Sequence, residues 1–247
     1  MENKGSSAKL NENRNEGILY GIGVGPGDPE LLTLKAVRLM KSCDIIFAPE
    51  KDAKKSIAYQ IAVQAVPELE EKICCGAPVP MLHDRTLAKQ VYDKTAEEIG
   101  AYLKEGKTVG FLNLGDVTLY STYIHIHRRV LARGHQAVLV NGIPSFCAAA
   151  AAFNIGLTEG HEQLHILAKP GQVEEGIALP GTKVIMKGGK QVGRLKPCLE
   201  QSGKQVLLAE NCTMPGQRLG KGAESITGEE SYYALLIVKD QEKEMES

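Results

Sequence analysis

A glycine- and proline-rich turn near the start of the chain, residues 20–33, constrains the fold more than any other stretch. An apolar run from Gly17 to Ile22 leads into it and predicts a strand. The glycines that follow let the backbone approach a ligand closely, because they lack Cβ atoms. Asp28 is placed to cap a helix that has Pro29 at its first position. A strand, a glycine turn and a capped helix in this order are typical of the start of a ligand-binding α/β domain.

This turn matches neither of the common phosphate-binding motifs. The last glycine of a dinucleotide fingerprint would fall on Pro26 or on Asp28, and a Walker loop needs Gly-Lys-Ser/Thr where this chain has Asp-Pro-Glu. The acidic side chains of Asp28 and Glu30 would also oppose a pyrophosphate at the positive end of the helix dipole. We therefore expect a ligand whose reactive end is neutral or cationic.

Strands and helices alternate along the first part of the chain, which predicts a mostly parallel sheet with crossover helices. After Gly156 the predicted strands continue with fewer helices between them, so we expect a second domain. An apolar stretch broken by prolines, residues 73–81, is interpreted as a connection. The predicted helices are 29–40, 56–66, 84–104, 120–133, 145–153 and 194–201, and the predicted strands are 17–22, 44–47, 108–112, 137–140, 164–168, 183–186, 206–209 and 233–238. The predicted segments are a flexible start (1–16), an N-terminal α/β domain (17–157), a C-terminal α/β domain (158–240) and a flexible tail (241–247).

Composition excludes several classes of function. The net charge is −1 and no basic stripe is present, so nucleic acid is not an expected partner. No apolar run approaches the ~20 residues of a membrane span, and residues 1–16 lack the apolar core of a signal peptide. The six cysteines show no zinc-binding spacing and predict reduced thiols in a cytoplasmic protein.

The string Gly-Val-Gly-Pro-Gly-Asp-Pro-Glu-Leu-Leu-Thr, residues 23–33, resembles the first motif of the tetrapyrrole (corrin/porphyrin) methylases, which use S-adenosylmethionine. Later stretches resemble the same family, and the likeness runs from about Leu19 to Val238. The resemblance implies two α/β domains, with a mostly parallel N-terminal sheet and a mixed C-terminal sheet. It also implies that Pro26 contacts the methyl donor.

The second motif is the turn after the strand that ends near Leu112. Residues 115–120, Gly-Asp-Val-Thr-Leu-Tyr, resemble the family's Gly-Asp-Pro-x-x-Tyr string, with Val117 in place of proline. Ligands of α/β sheets bind at the carboxyl ends of strands, where this turn is expected. The alternative interpretation of the residues is that Asp116 caps an ordinary helix. The resemblance implies that the cofactor is lined by Leu114, Gly115, Asp116 and Leu119.

The third motif, residues 141–145, follows the next strand along the chain. Asn-Gly-Ile-Pro-Ser resembles the family's Pro-Gly-Ile-Ser/Thr-Ser turn, with Asn141 replacing proline and Pro144 replacing a hydroxyl residue. Pro144 has no N–H to donate, whereas Ser145 keeps its hydroxyl. The resemblance implies that Pro144 and Ser145 contact the cofactor; the alternative is a plain start of a helix.

The second half of the chain supplies the fourth likeness. Residues 183–189 resemble the family's strand whose methionine packs on the cofactor, and residues 209–218 resemble its Glu-Asn-x-Thr…Gln-Arg segment, which closes over the adenosine. The resemblance therefore implies contacts from Met186 and from the backbone at Cys212. A methionine at a strand end is otherwise typical core filler.

A zinc-protease pattern, H-E-x-x-H, occurs at residues 161–165. That chemistry needs both histidines on one face of a long helix, whereas Gly160 precedes this stretch and Ile166 continues it as a predicted strand. In a strand, residues i and i+4 lie ~13 Å apart, too far to share one zinc ion. We expect no metal site here.

The particular forms of three strings refine the resemblance: residues 19–27, 45–49 and 119–123. They are most similar to the branch of the family that methylates C20 of precorrin-2 or cobalt-factor II in cobalamin (vitamin B12) biosynthesis. The alternatives are a uroporphyrinogen III C-methyltransferase, another corrin-ring methylase, or a tetrapyrrole-binding module without catalysis. Family members are commonly homodimers, which the resemblance implies here.

A sulfonium-bound methyl group is already electrophilic. The protein therefore has to align the reactants, exclude water and accept one proton. No catalytic residue is assigned; Asp116 and Tyr120 are the nearest candidates for a polar role beside the methyl group. A tetrapyrrole carries many carboxylates, which calls for basic side chains around a cleft; the alternative for each such side chain is a solvated surface charge. The candidates are Lys51, Lys54, Lys55, Arg128 and Lys190.

Overall fold

The computed structural model describes residues 16–78, 85–168, 173–187 and 189–240. This part of the chain forms two compact units that interleave along the sequence. The first unit comprises 16–22, 35–78, 85–113 and 121–140; the second comprises 23–34, 114–120, 141–168, 173–187 and 189–240. The sequence predicted two domains, each continuous in sequence, that meet at 157/158. That boundary stays a prediction. Apart from Glu16, the predicted flexible ends lie outside the described residues.

The first unit is built on a five-stranded sheet. Its strands are β1 (Ile18–Gly23), β2 (Ile45–Pro49), β3 (Ile73–Ala77), β4 (Val109–Asn113) and β5 (Gln136–Val140). They lie in the order β3-β2-β4-β1-β5, and β1 with β5, β2 with β3 and β2 with β4 pair in parallel. Its helices are α1 (Leu34–Ser42), α2 (Ile57–Ala65), α3 (Arg85–Lys104) and α4 (Tyr123–Ala132). The prediction of a mostly parallel sheet is confirmed.

The central strands of this sheet explain the apolar runs in the sequence. All five residues of β4 are buried, as are the first four of β2. Strands of a parallel sheet are covered on both faces, so they are apolar at every position rather than at alternate ones. The buried strand β4 ends at Asn113, directly before the glycine turn at residues 114–116.

The second unit contains a mixed sheet, as predicted. Its strands are β6 (Leu164–Leu167), β7 (Thr182–Ile185), β8 (Gln205–Glu210), β9 (Arg218–Lys221) and β10 (Ala234–Lys239), in the order β6-β7-β10-β8-β9. Strands β6 and β7 pair in parallel, and the other pairs are antiparallel. Its helices are α5 (Ser145–Ala152), α6 (Val173–Ile177) and α7 (Lys196–Gln201).

The two faces of this sheet pack into two apolar clusters. Ile185 and Leu208 belong to one cluster, whereas their neighbours Val184 and Leu207 belong to the other, as the alternation of side chains along a strand requires. Helix α5 packs in the second cluster, where its run of alanines contributes short side chains that keep it close to the sheet.

The helix predicted from Asp28 onward is split in two. Asp28 does accept a hydrogen bond from the N–H of Glu30 at 2.8 Å, and Pro29 does take the first position, but this cap begins only a 3₁₀ turn, Pro29–Leu31. The backbone becomes extended at Leu32, and α1 starts afresh at Leu34.

Two other predicted segments differ from the structure. Residues 73–77 are an edge strand, β3, rather than a connection, while 79–81 lie outside the described residues. The helix predicted from Tyr120 begins at Tyr123, because Tyr120 itself has a left-handed backbone with φ +49°. A short strand, β9, also follows Gln217, where none was predicted.

Candidate functional site

The two glycine turns at residues 23–27 and 114–116 are joined directly to each other. The N–H of Gly25 donates to the carbonyl of Gly115 at 3.3 Å, and the N–H of Gly115 donates back to the carbonyl of Gly25 at 2.7 Å. Both residues have positive φ, +73° and +71°, which glycine adopts without the strain of a Cβ. The sequence therefore needs glycine at these positions to bring the two turns together.

A third turn, after β5, packs against the same pair. A Cβ on Gly142 would lie 2.2 Å from the carbonyl oxygen of Gly115, and one on Gly23 would lie 2.6 Å from that same oxygen. Neither distance leaves room for a side chain. The turns that follow β1, β4 and β5 are thus in contact through their backbones.

The carboxylate of Asp116 is the polar centre of this assembly. Its Oδ1 accepts from the N–H of Thr118 at 2.7 Å and from the Thr118 hydroxyl, while Oδ2 accepts from the N–H of Gly142 at 2.9 Å and from Nδ2 of Asn141 at 3.2 Å. Burial opposes ionisation, but these hydrogen bonds outweigh it and hold the pKa of Asp116 below its usual value. A carboxylate whose two oxygens already accept four hydrogen bonds is a clamp between turns and a poor acceptor for a substrate proton.

The apolar part of the predicted site lies on the second sheet. Leu119 and Met186 pack against a cluster that includes Cys212, and Leu31 of the first turn joins them. Cys212 is buried, and burial raises the pKa of its thiol, so the side chain stays neutral. These residues provide an apolar surface.

The remaining predicted residues flank the joined turns. Pro26 is buried between Gly25 and Gly27, and Leu114 is half-buried directly before Gly115. Pro144 is the N-cap of α5, and its carbonyl accepts from the N–H of Cys147 at 3.1 Å; Ser145 is the first residue of that helix. The structure thus brings Pro26, Gly115 and Asp116 together through the turns, and Leu119, Met186 and Cys212 through the cluster. Their role in cofactor binding stays a prediction.

Sequence reasoning passed over Thr213, which links the first turn to the segment after β8. The Thr213 hydroxyl accepts a hydrogen bond from the N–H of Asp28 at 3.1 Å. A Cβ on Gly27 would lie 2.7 Å from the carbonyl oxygen of Thr213 and 2.4 Å from Cγ of Met214. Thr213 belongs to the Glu-Asn-x-Thr string, from which only the backbone at Cys212 had been inferred to make a contact.

Tyr120 is engaged with the second sheet rather than free for chemistry. Its hydroxyl donates to the carbonyl of Ile166 at 3.1 Å, and its own carbonyl accepts from Nζ of Lys187 at 2.8 Å. The ammonium of Lys187 also lies 5.9 Å from the centre of the Tyr120 ring. Lys187 therefore places a positive charge next to Met186, which the sequence analysis had not singled out.

The role of the basic side chains suggested for substrate carboxylates stays a prediction. Lys51, Lys54, Lys55 and Arg128 belong to the first unit, where Lys54 donates to the carbonyl of Glu70 at 3.3 Å. The side chain of Lys190 lies outside the described part of the structure.

The H-E-x-x-H stretch is a turn followed by β6, as the sequence predicted, and not a helix. Glu162 accepts from the hydroxyl of Thr182 at 2.6 Å and from the N–H of Glu159 at 3.1 Å, while Nε2 of His165 lies 3.0 Å from the carbonyl of Pro180. In the described ranges, no three His, Cys, Asp or Glu side chains are grouped so that they could hold a metal ion. The motif is used for local structure.

A parallel sheet with glycine turns after its strands defines an α/β protein, and folds of this class bind small organic ligands at the carboxyl ends of their strands. Residues 18–225 match the tetrapyrrole (corrin/porphyrin) methylases. The chain belongs to this family.

Curated relatives support that assignment along nearly the whole chain. A probable cobalt-precorrin-2 C(20)-methyltransferase of Methanocaldococcus jannaschii is 36% identical over 227 residues, covering 90% of this chain and 95% of the relative. A precorrin-2 C(20)-methyltransferase of Sinorhizobium is 31% identical over 236 residues, with 90% and 95% covered.

Solved structures agree on the fold. A uroporphyrin-III C-methyltransferase from Thermus thermophilus, in complex with S-adenosylhomocysteine, superposes with a TM-score of 0.64 at 21% identity, covering 90% of this chain and 97% of that one.

Proposed function

We propose that this protein transfers a methyl group from S-adenosylmethionine to C20 of precorrin-2 or of its cobalt-containing form, a step of cobalamin biosynthesis. The observation that carries the proposal is the likeness to the M. jannaschii protein, 36% identical and matched over 95% of its length. The Sinorhizobium relative is named for precorrin-2 without cobalt, so the proposal includes both substrates.

The residues of the site fit S-adenosylmethionine. Leu119 and Met186 offer apolar surface to a nucleoside, and the glycine turns let the backbone approach it without interference from side chains. Asp116 is held ionised, so the site carries a negative charge that suits a cationic sulfonium. When bound, this cosubstrate supplies a methyl group that is already electrophilic.

The chain's own residues then hold and orient rather than react. Asp116 fixes the 114–120 turn to the 141–144 turn, and the mutual hydrogen bonds of Gly25 and Gly115 fix the first turn to the second. Such fixed geometry converts binding into alignment, which is where a reaction with an activated methyl group gains rate. Because both carboxylate oxygens of Asp116 already accept hydrogen bonds from the two turns, we assign it to positioning and assign no residue to proton removal.

Lys187 is the basic side chain that we propose for a carboxylate of the tetrapyrrole. It is exposed, and it lies next to Met186 in sequence and against Tyr120 in space. An ammonium in that position can pair with a propionate or acetate group of the substrate.

Cytoplasmic location and a homodimeric state are further parts of the proposal. All six cysteines are unpaired thiols, which suits a reducing compartment. Among the described residues, no helix is both long enough and apolar enough to cross a membrane. The homodimer is proposed from the family resemblance, and sedimentation equilibrium of the purified protein tests it.

The decisive experiment is methyl transfer from S-adenosylmethionine labelled with carbon-13, offering uroporphyrinogen III, precorrin-2 and cobalt-factor II separately. Label at C20 of either late substrate, located by NMR, is the expected result, and the preferred substrate decides whether cobalt is present. Label at C2 or C7 of uroporphyrinogen III would instead make the protein a methylase of the siroheme branch. Cofactor binding without transfer to any of the three would remove the C20 assignment.

A further inference from the structure

The segment after β8 contains two residues in left-handed backbone conformations. Asn211 has φ +49° and Thr213 has φ +62°, on either side of Cys212. Asparagine tolerates this region, but a β-branched threonine is a genuine outlier there. Such strain persists only where the surroundings over-determine the conformation, and it is concentrated at functional sites.

Several hydrogen bonds hold Thr213 in this conformation from its own segment. Its N–H donates to Oε1 of Gln217 at 2.7 Å, and the N–H of Met214 donates to the carbonyl of Asn211 at 2.9 Å. The side chain of Asn211 accepts from the hydroxyl of Ser231 at 3.1 Å. These hydrogen bonds close the segment into a loop. They do not involve the hydroxyl of Thr213.

That hydroxyl faces the first glycine turn. Its oxygen accepts from the N–H of Asp28 at 3.1 Å, and Gly27 lies so close that a Cβ there would be 2.7 Å from the Thr213 carbonyl oxygen. Asp28 in turn caps the 3₁₀ turn Pro29–Leu31. One side chain thus connects the turn that contains Pro26 with the loop that contains Cys212.

We propose that Thr213 is a positioning residue for the methyl donor, which sets the separation of the Pro26 turn and the Cys212 backbone. The inference rests on the proposed function, since both elements are cofactor contacts only if the donor binds there. Thr213 acts through Asp28 and through its own backbone rather than by touching the reacting atoms.

Thr213→Val tests this inference, because valine keeps the shape and the strained β-branched backbone but removes the acceptor. We expect the Kd for S-adenosylhomocysteine, measured by calorimetry, to rise about 3- to 10-fold, because without this hydrogen bond the two elements are held less often in the binding geometry. Thr213→Ser keeps the hydroxyl and should bind within about twofold of the wild type.

A matched control separates positioning from stability. Thr182 is fully buried, donates its hydroxyl to Glu162 at 2.6 Å, and begins β7, the strand whose far end leads to Met186. Thr182→Val should lower the melting temperature at least as much as Thr213→Val while leaving the Kd unchanged. Equal loss of affinity in both variants would reduce Thr213 to a stability role and overturn the inference.

A second readout does not depend on the cofactor. In the ligand-free protein, the amide of Asp28 should exchange with deuterium faster in Thr213→Val than in the wild type or in Thr213→Ser. Unchanged exchange would overturn the proposed link, whatever the protein binds. A wild-type protein that fails to bind S-adenosylhomocysteine, yet shows the exchange difference, would instead count against the proposed function.

Discussion

Oδ2 of Asp116 accepts a hydrogen bond from the N–H of Gly142 at 2.9 Å, across 26 residues of chain. The same carboxylate caps its own turn through the N–H of Thr118. One side chain therefore closes a turn locally and fastens it to the next turn, which gives Asp116 a structural reason to be acidic before any ligand is considered.

Asp116→Asn should weaken both folding and cofactor binding. The amide nitrogen replaces one acceptor oxygen and faces an N–H donor, so a buried donor loses its partner at a cost of about 1–3 kcal/mol. Urea unfolding should show that loss, and calorimetry should show weaker binding of S-adenosylhomocysteine. Asp44→Asn is the control: Asp44 also accepts from a backbone N–H, that of Thr108 at 2.7 Å, but it is exposed and belongs to the first unit. Unchanged affinity in Asp116→Asn would remove this residue from the site.

Gly142→Ala should disrupt the joined turns. Its Cβ would be placed 2.2 Å from the Gly115 carbonyl oxygen, so the turns must separate, and overpacking of this kind costs about 1–3 kcal/mol or more. Gly203→Ala provides the comparison, because Gly203 has φ +64° but open space where its Cβ would lie. We expect both variants to lose stability and only Gly142→Ala to lose affinity for S-adenosylhomocysteine. Retained affinity in Gly142→Ala would remove the joined turns from the cofactor site.

Asp240→Asn should destabilise the second unit. Lys183, whose side chain is 0% exposed, has its ammonium 3.0 Å from Oδ1 of Asp240, and Lys204 pairs with the same oxygen. Removing the carboxylate leaves a buried cation without its counter-charge. Because Asp240 is itself 42% exposed, we expect a loss below the ~3–5 kcal/mol of a fully buried pair. Asp93→Asn, which breaks the more exposed pair with Arg129, should cost less than ~1 kcal/mol.

The effect of Asp240→Asn should depend on pH. Burial opposes ionisation of Asp240, but hydrogen bonds from Lys204, the N–H of Gly181 and Lys183 outweigh it, so the pKa in the folded state lies well below the ordinary 3.8. The stabilisation by a carboxylate with a lowered pKa is complete above the unfolded pKa and is lost as pH falls through the folded one. The stability difference between wild type and Asp240→Asn should therefore be constant near neutral pH and shrink below about pH 4. A difference that grows on acidification would contradict this pairing.

Zinc should play no part in the function of the H-E-x-x-H stretch. His165 lies in a strand and Glu162 accepts from Thr182, so the geometry of a zinc protease is not formed. We expect metal analysis of the purified protein to find far less than one zinc per chain, and chelator treatment to leave affinity for S-adenosylhomocysteine unchanged. One tightly held zinc per chain that His161→Ala abolishes would refute this prediction.

Local signals in the sequence predicted some elements of the fold and missed others. Asp28 and Pro29 predicted the cap and first position of a helical turn, and both predictions are confirmed, although the turn is 3₁₀ and stops at Leu31. Strand β3 was missed because Cys74, Cys75 and Gly76 show neither alternation nor β-branched residues, and pairing with β2 decides their conformation. Local propensity does not report such non-local pairing.

The long-range contacts within the candidate site could not be predicted from the sequence. The Asp28–Thr213 hydrogen bond joins residues 185 apart, and the motif strings indicated both segments without indicating that they touch. Tyr120 was expected to open a helix, but its hydrogen bonds to Ile166 and Lys187 favour a left-handed backbone instead. In each case tertiary contacts outweigh what the neighbouring residues prefer.

The interleaving of the two units along the sequence has a consequence for recombination within the gene. The chain passes from one unit to the other at residues 22/23, 34/35, 113/114, 120/121 and 140/141. A gene fragment that encoded only residues 141–240 would lack both Asp116 and the turn that Thr213 holds. A single crossover anywhere between residues 34 and 141 would therefore separate the first glycine turn from the loop that contains Thr213.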